Sequence, residues 1–308
     1  MAVETTVKTL AKLRGDKPVL ASVLDAFEPL LVARVETAAS LQDDVRGLPV
    51  PAPDEQRFAD GLSLLAEVRL AMFWPLWQKA LGGLLPVFEQ RPQLVPGLGT
   101  VSELLGAGRD ETFQEAFLQA LLHQDAEACA GLFGTDELSA ASLAFVGEFA
   151  LSAVLRAVAT AAAGSAAEGD NPWPLWTQGS CPVCGRLPVM DSLARGLADE
   201  KNPYLLSGGG KKHMHCGLCG SDWLFRRAVC PVCGADSKGV MNIIVPTENR
   251  SEHIAWCSKC RTYSVGVDER SFSGDLDYDA LALGLLPLDM VAAEKELTPM
   301  CRTFWNQF

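Results

Sequence analysis

Apolar residues recur every three or four positions through most of the first 165 residues, a spacing typical of buried helices. The segments 60–78, 110–132 and 145–158 each follow this pattern and are predicted to be helices that pack into a bundle. Proline and glycine clusters between such segments mark loops. Burying a helix face is a general requirement of folding, so these apolar stripes indicate core and carry no chemistry. We predict an all-α domain over residues 1–165.

The helical period ends near residue 165. Residues 166–180 collect glycine, serine, asparagine and proline, which predicts a linker. The most apolar stretch, 141–163, contains Glu148 and Arg156 and is rich in alanine, so it predicts a buried helix and no membrane insertion. Charged residues occupy the N-terminus where a secretory signal needs an apolar core, and we therefore expect a cytoplasmic protein.

Eight of the ten cysteines form four Cys-x-x-Cys pairs, all of them after residue 180. The pairs are Cys181/Cys184, Cys216/Cys219, Cys230/Cys233 and Cys257/Cys260. Eight thiols in a reducing compartment indicate metal binding rather than disulfides. Thioredoxin-like dithiols would need a βαβ context, which this glycine-rich region lacks.

An internal repeat assigns the pairs to two sites. The intervals inside the two repeats are 31 and 23 residues, whereas only 10 residues separate the second pair from the third. Ribbon geometry therefore favours sequential pairing. Site 1 then contains Cys181, Cys184, Cys216 and Cys219, and site 2 contains Cys230, Cys233, Cys257 and Cys260. A pairing that places the 10-residue interval inside one site is the alternative.

Short β-prone segments accompany the cysteines. Residues 240–245 predict a strand with 264–267 as its candidate partner, 187–190 predict another strand, and 202–212 predict an exposed loop. The predicted fold class is α+β. It comprises a helical N-terminal domain (1–165), a linker (166–180), two tandem rubredoxin-like or zinc-ribbon modules (181–228 and 229–274), and a C-terminal helix with a tail (275–308).

The spacing alone favours zinc over iron, although tetrahedral thiolate sites accept both metals. Four thiolates leave no open coordination position, so we expect no hydrolysis at the metal. The sequence also lacks the common nucleophile, phosphate-binding and zinc-protease motifs, which predicts that the protein is not an enzyme. His213 and His215 precede a complete set of thiols and are expected to be surplus. Cys129 and Cys301 stand outside the pairs.

The overall charge argues against a polyanion-binding protein. The net charge is -12 and the isoelectric point is near 4.8, both unfavourable for nucleic-acid binding. Residues 181–274 are mildly basic, with 12 basic and 9 acidic residues, and screening of the thiolates is a sufficient reason for those bases.

The segments GSCPVCGRLPV, HMHCGLCGSDW, AVCPVCG and WCSKCRTY follow an acidic helical domain and precede LALGLLPLDMVAAE. This arrangement resembles the formate dehydrogenase accessory protein family, FdhE, most specifically between Cys181 and Cys260. The resemblance implies a cytoplasmic protein that is needed for formation of active formate dehydrogenase and binds its catalytic subunit. It also implies rubredoxin-type iron on the eight paired cysteines, so the expected cofactor becomes two iron ions, with zinc as the alternative.

The resulting prediction is a non-enzymatic maturation factor that binds the catalytic subunit of formate dehydrogenase before export or assembly. Its two four-cysteine sites are expected to be structural and, with iron bound, open to a redox role. A rubredoxin-like electron carrier and a nucleic-acid-binding zinc-ribbon protein are the alternatives. The sequence makes no prediction of the oligomeric state.

Overall fold

A computed structural model of the chain describes residues 2–134, 137–164, 173–194 and 210–306. The chain divides into two compact units: a helical unit of Met1–Ala52 and Leu64–Ser165, and a cysteine-rich unit of Pro53–Ser63 and Ala166–Phe308. The first seven residues of the predicted linker, 166–172, and residues 202–209 of the predicted loop lie outside the described residues.

The helical unit is built from eight α-helices among its described residues. They are α1 (Val3–Asp16), α2 (Ala21–Ser40), α3 (Gln42–Arg46), α5 (Trp74–Glu89), α6 (Leu98–Gly106), α7 (Glu111–His123), α8 (Ala126–Phe133) and α9 (Glu137–Gly164), and a further helix, α4 (Glu55–Ala59), belongs to the cysteine-rich unit. Short 3-10 turns lie at Pro18–Leu20 and Leu70–Phe73.

Helix α9 is the centre of the helical unit and packs against α2, α5 and α8. The rings of Phe88, Phe145 and Phe149 contact one another edge to face, and the Trp77 indole N–H donates to the Gly147 carbonyl oxygen over 3.0 Å. The segment Ala140–Gly164 is long and apolar enough to cross a membrane by composition, yet 83% of its most apolar window is buried inside the protein. It is therefore a core helix of this unit.

The helix predicted over 60–78 is wrong for most of its length. Residues 60–61 and 64–67 form turns, Leu70–Phe73 is a 3-10 turn, and the α-helix begins at Trp74. Pro75 explains the break, since it fits the first turn of α5, where no backbone N–H is needed, but would interrupt a helix that began earlier. The predicted helix 110–132 is likewise two helices, because Gln124 has a left-handed φ of 57° and Asp125 caps α8.

Within its described residues, the cysteine-rich unit contains one seven-stranded sheet. Its strands are β1 (Met190–Leu193), β2 (Lys212–His215), β3 (Asp222–Leu224), β4 (Met241–Ile244), β5 (Glu252–Cys257), β6 (Thr262–Asp268) and β7 (Thr298–Pro299). The order is β3-β2-β1-β6-β5-β4, and β7 pairs with β6. Strands β1 and β6 are parallel and join the first cysteine module to the second. The α+β fold class with two four-cysteine modules is confirmed, and the continuous sheet is an additional finding.

The strand predicted at 240–245 is confirmed as β4, and the candidate at 187–190 overlaps β1 only at Met190. Direct pairing of 264–267 with β4 is wrong, because β5 lies between β4 and β6 and pairs with both. Strand β5 is hard to see in the sequence because it begins with the polar residues Glu252 and His253. Both are buried, at 7% and 6% exposure, so the usual alternation of polar and apolar residues is lost.

Two helices near the C-terminus pack on this sheet. Pro287 lies in the first turn of α11 (Leu286–Glu294), and this start separates α11 from α10 (Tyr278–Gly284). The Tyr263 hydroxyl on β6 donates to the buried carboxylate of Asp289 on α11 over 2.7 Å. Burial raises the pKa of Asp289 to about 6, although the tyrosine hydroxyl favours the ionised form.

A buried polar cluster crosses the line where the two modules join. The Asp191 carboxylate on β1 lies 2.9 Å from His253 Nε2 on β5, accepts the Ser264 hydroxyl of β6 at 2.6 Å, and lies 3.4 Å from the Lys212 amine on β2. Burial raises the pKa of Asp191, but the lysine, histidine and serine outweigh it and hold the pKa well below its usual value. Every member is at most 8% exposed.

Gly266 on β6 is aligned with both Asp191 and His253, so the His253 side chain crosses β6 above a residue without a Cβ. An added Cβ would lie 2.5 Å from His253 Nε2 and 2.7 Å from the Asp191 carbonyl oxygen. The glycine therefore opens the path for a hydrogen bond between the modules.

Gly266→Ala is expected to lower the free energy of unfolding by about 1–3 kcal/mol, since the backbone must shift and the His253–Asp191 bond is displaced. Denaturant unfolding of the metal-loaded protein measures the change. Gly82→Ala is the matched control, because an added Cβ there meets nothing within 4 Å on helix α5, and a small gain is expected. Equal stability of Gly266→Ala and the parent protein would show that the crossing does not hold the modules together.

Candidate metal centres

Site 1 lies between the segment that precedes β1 and the turn that joins β2 to β3. The structure brings together the sulfurs of Cys181, Cys184, Cys216 and Cys219, all within 4.8 Å of one another. Two of the Sγ–Sγ separations are 3.4 Å, between Cys181 and Cys219, and 3.5 Å, between Cys184 and Cys216. Each of the four residues is at most 5% exposed, so the site is closed to solvent.

Site 2 lies at the corresponding place in the second module. It consists of Cys230, Cys233, Cys257 and Cys260, whose sulfurs also lie within 4.8 Å of one another. The Sγ–Sγ separations are 3.6 Å for Cys230 and Cys260 and 3.8 Å for Cys233 and Cys257. Here Cys233 is exposed and Cys260 is partly exposed, whereas Cys230 and Cys257 are buried. The two sites share a geometry but differ in access to solvent.

Each Cys-x-x-Cys pair is held in a tight backbone turn. The N–H of the residue after the second cysteine donates to the carbonyl oxygen of the first, over 2.9–3.0 Å in all four turns. This residue has a positive φ in every case, which glycine adopts without strain at Gly185, Gly220 and Gly234. In the fourth turn the residue is Arg261, with φ 61°.

The contacts of the Arg261 side chain explain why an arginine occupies this left-handed position, which glycine would adopt with less strain. Its guanidinium donates to the Lys295 carbonyl oxygen at 2.6 Å, at the C-terminal end of α11, and lies over the Trp256 ring. A cation at a helix C-terminus is favourable because it satisfies carbonyl groups that the helix leaves unpaired. The fourth turn is thereby fixed to α11.

The sulfur positions fit one tetrahedral metal ion in each site. With metal–sulfur bonds of about 2.3 Å, adjacent sulfurs of a tetrahedron lie about 3.8 Å apart. The four separations given above, 3.4–3.8 Å, lie at this edge or slightly below it. Burial raises the pKa of the Cys181 thiol well above its usual value, so four thiolates at site 1 require a cation to offset their charge. Zinc and iron both satisfy this donor set.

A hydroxyl group accompanies the second pair of each site. Ser221 Oγ lies 3.3 Å from Cys219 Sγ, and Thr262 Oγ1 lies 3.0 Å from Cys260 Sγ. Burial raises the pKa of Cys260, but the hydrogen bonds of Thr262 and the neighbouring thiols outweigh it and lower the pKa to about 7. The repeat of Cys-Gly-Ser and Cys-Arg-Thr in the sequence was the available signal for this pair of hydroxyls.

The remaining candidates lie outside the sulfur clusters. Both ring nitrogens of His215 face carboxylates, with Nδ1 2.7 Å from Asp222 and Nε2 3.3 Å from Asp279 on α10. Burial lowers the pKa of His215, but these two carboxylates outweigh it and raise the pKa to about 10. The imidazolium thus connects the strand that ends at Cys216 to α10. His213 belongs to neither sulfur cluster.

Cys129 lies in the helical unit on α8 and is buried, and burial raises its pKa to about 11. It is therefore a small apolar core residue rather than a nucleophile. Cys301 is partly exposed and lies outside both sulfur clusters.

The difference in exposure predicts that site 2 releases its metal first. When metal-loaded protein is mixed with an excess of a colorimetric chelator, we expect release from site 2 to be about tenfold faster or more, because site 1 must open its surroundings before a chelator can reach a sulfur. The absorbance of the metal–chelator complex follows both phases.

Single-site variants assign the two phases. Cys181→Ser should leave only the fast phase of site 2, and Cys230→Ser only the slow phase of site 1. Equal rates, or faster release from site 1, would contradict the role assigned to burial.

No family model matches the chain. Curated proteins named FdhE homologues do match it. The relative from Aquifex aeolicus is 27% identical over 129 residues, 42% of this chain and 42% of the relative, and that from Shewanella baltica (strain OS185) is 32% identical over 117 residues, 37% of this chain and 35% of the relative. The chain therefore covers about two fifths or less of the length of these relatives.

The fold matches a solved structure over almost its whole length. The FdhE protein from Pseudomonas aeruginosa superimposes with a TM-score of 0.65 at 18% sequence identity, covering 99% of this chain and 96% of that one. At this identity the match establishes the fold. Sequence similarity over part of the chain and a shared fold over nearly all of it together confirm the resemblance to the FdhE family.

Proposed function

We propose that this chain is a non-catalytic accessory protein for the formation of active formate dehydrogenase, and that it binds the catalytic subunit in the cytoplasm before export or assembly. The resemblance of its cysteine segments to FdhE proteins, the similarity to curated FdhE homologues and the shared fold support this proposal. The client and the compartment come from the family resemblance.

The observation that carries the proposal is the pair of four-sulfur clusters within one continuous sheet. Each cluster supplies four thiol ligands, so a tetrahedral ion held there has no position left for a substrate or a reactive water. The clusters connect loops to strands, and in site 1 the neighbouring His215 extends this connection to α10. Such an arrangement is suited to fixing the shape of a binding surface.

We propose iron as the resident metal of Cys181, Cys184, Cys216 and Cys219 and of Cys230, Cys233, Cys257 and Cys260, with zinc as the alternative. Iron in four thiolates supplies one-electron chemistry, whereas zinc has none. Metal analysis together with the visible absorption spectrum of protein purified from its own host distinguishes the two, because ferric tetrathiolate sites are coloured and zinc sites are not.

A rubredoxin-like electron carrier is the second candidate function. The exposure of Cys233 and the partial exposure of Cys260 favour it, since an electron carrier needs a metal site near the surface. Site 1, with all four residues buried, has no such access and retains a structural role in either case.

The client hypothesis predicts that metal and client binding are lost together. Cys181→Ser and Cys230→Ser should each remove one of two metal equivalents and reduce capture of the formate dehydrogenase catalytic subunit by about tenfold or more, because the metal-linked turns no longer hold the surface in shape. Capture of the precursor subunit by tagged protein, quantified by mass spectrometry, gives the binding result, and elemental analysis gives the metal content.

Cys301→Ser is the matched control, since Cys301 belongs to neither cluster and should retain both metal and client. Full client capture by a metal-free variant would contradict the coupling of metal to binding. Absence of the catalytic subunit from captures with the parent protein would contradict the client itself. A reversible one-electron wave from the metal sites in voltammetry, together with capture of a soluble reductase, would instead favour the electron carrier.

A further inference from the structure

A groove with a volume of about 490 Å³ lies in the cysteine-rich unit, across the line where the two modules join. The first module contributes Leu193, Lys212 and Arg227, and the second contributes Lys238, Ile243 and Arg250. The volume falls in the range of established ligand pockets. The groove exists only because the two modules form one sheet, and it is distinct from both sulfur clusters.

The polar lining of the groove is basic. Its acidic residues are already engaged, as Asp191 lies beside Lys212 and His253, and Asp268 accepts hydrogen bonds from the guanidinium and the backbone N–H of Arg270. By contrast, Arg227, Lys238 and Arg250 are exposed and form no ion pair within the part of the chain that the structure describes. Because the carboxylates that line the groove are already paired, these three cations favour the binding of further carboxylates.

Most of the apolar lining comes from β4, a strand at the edge of the sheet, and from Val245 directly after it. Met241, Ile243 and Val245 alternate along the chain and therefore share one face. Ile243 is 58% exposed and Val245 is 48% exposed, which is unusual for branched aliphatic side chains. Among the described strands only β5 pairs with β4, so its outer edge has backbone donors and acceptors without a strand partner. Edge strands are ordinarily protected by charged residues or proline.

We propose that this groove and the free edge of β4 bind an extended segment of a protein partner whose groove-facing residues include both acidic and β-branched apolar types. The segment pairs with β4 as an added strand, its apolar side chains cover Ile243 and Val245, and its carboxylates face Lys238 and Arg250. This inference holds for a partner of that chemistry whether or not the partner is formate dehydrogenase.

Charge decides between this occupant and a second copy of the chain. If two copies paired through β4, each would bring Lys238 and Arg250 toward the same residues of the other, which places like charges together. A small inorganic anion would satisfy the cations but would leave the exposed aliphatic row uncovered. An acidic, apolar strand satisfies both.

The test begins with a phage-displayed library of random decapeptides selected on the metal-loaded, full-length protein. We expect enrichment of sequences rich in glutamate or aspartate and in valine or isoleucine. The best peptide is then synthesised with a fluorophore, and its affinity is measured by fluorescence anisotropy. Lys238→Glu and Arg250→Glu should each weaken binding by about tenfold, the effect of losing an attractive charge pair and gaining a repulsive one.

Matched variants separate docking from loss of fold. Ile243→Thr keeps a β-branched residue on the edge strand and should also weaken binding, whereas Lys12→Glu reverses an exposed charge in the helical unit and should leave affinity unchanged. A peptide with alternate N-methylated residues lacks the donors for strand pairing and should not bind. All variants are first checked for two metal equivalents per chain.

Four results would overturn the inference. The first is failure to enrich any acidic, apolar sequence. The second is a selected peptide whose affinity is unaffected by Lys238→Glu, Arg250→Glu or N-methylation. The third is a parent protein that light scattering shows to be a dimer which Ile243→Thr dissociates, since the edge would then belong to a second copy. The fourth is loss of peptide binding when inorganic phosphate is added at constant ionic strength, to the same extent for every peptide. The groove would then be a site for a small anion.

Discussion

The structure of the cysteine-rich unit depends on a hydrogen bond between His253 and Asp191 that crosses strand β6 above Gly266. Four strands contribute to this buried cluster, two from each module, so it acts across the join rather than within either module. A buried carboxylate is costly unless it is paired and hydrogen-bonded, and here a lysine, a histidine and a serine provide those partners. Because the cost is offset only when the strands are in register, the cluster specifies how the two modules align.

This alignment gives the two sulfur clusters different surroundings. Site 1 is enclosed, and the strand that leads into Cys216 is connected to α10 through His215. Site 2 has one exposed sulfur residue, Cys233, but its last turn is fixed to α11 through Arg261. Each site is therefore connected to one of the two C-terminal helices, and the four-thiolate chemistry alone does not describe either site.

Much of this arrangement was predictable from the sequence because short-range chemistry determines it. The four Cys-x-x-Cys pairs and their intervals indicated the two groups of sulfurs that the structure brings together, and the strand at 240–245 was evident from its β-prone residues. Pairings that depend on distant partners were not predictable. Strand β5 begins with buried polar residues that only Asp191 and its neighbours make tolerable, and the predicted helix over 60–78 failed because Pro75 specifies a start rather than an interior.

The groove follows from the same join. A basic, partly apolar surface is unexpected in a chain of net charge -12. It forms because Asp191 is paired with Lys212 beneath the groove, while Arg227, Lys238 and Arg250 remain at its rim. The buried cluster thus has two effects, since it holds the modules in register and removes the acidic side chains that would otherwise oppose a carboxylate. If metal binding fixes the loops on either side of the groove, then loss of a metal changes the groove without any contact between the metal and the bound segment. Coupling between metal content and partner binding is therefore a property expected of this sheet, whichever metal occupies the sites.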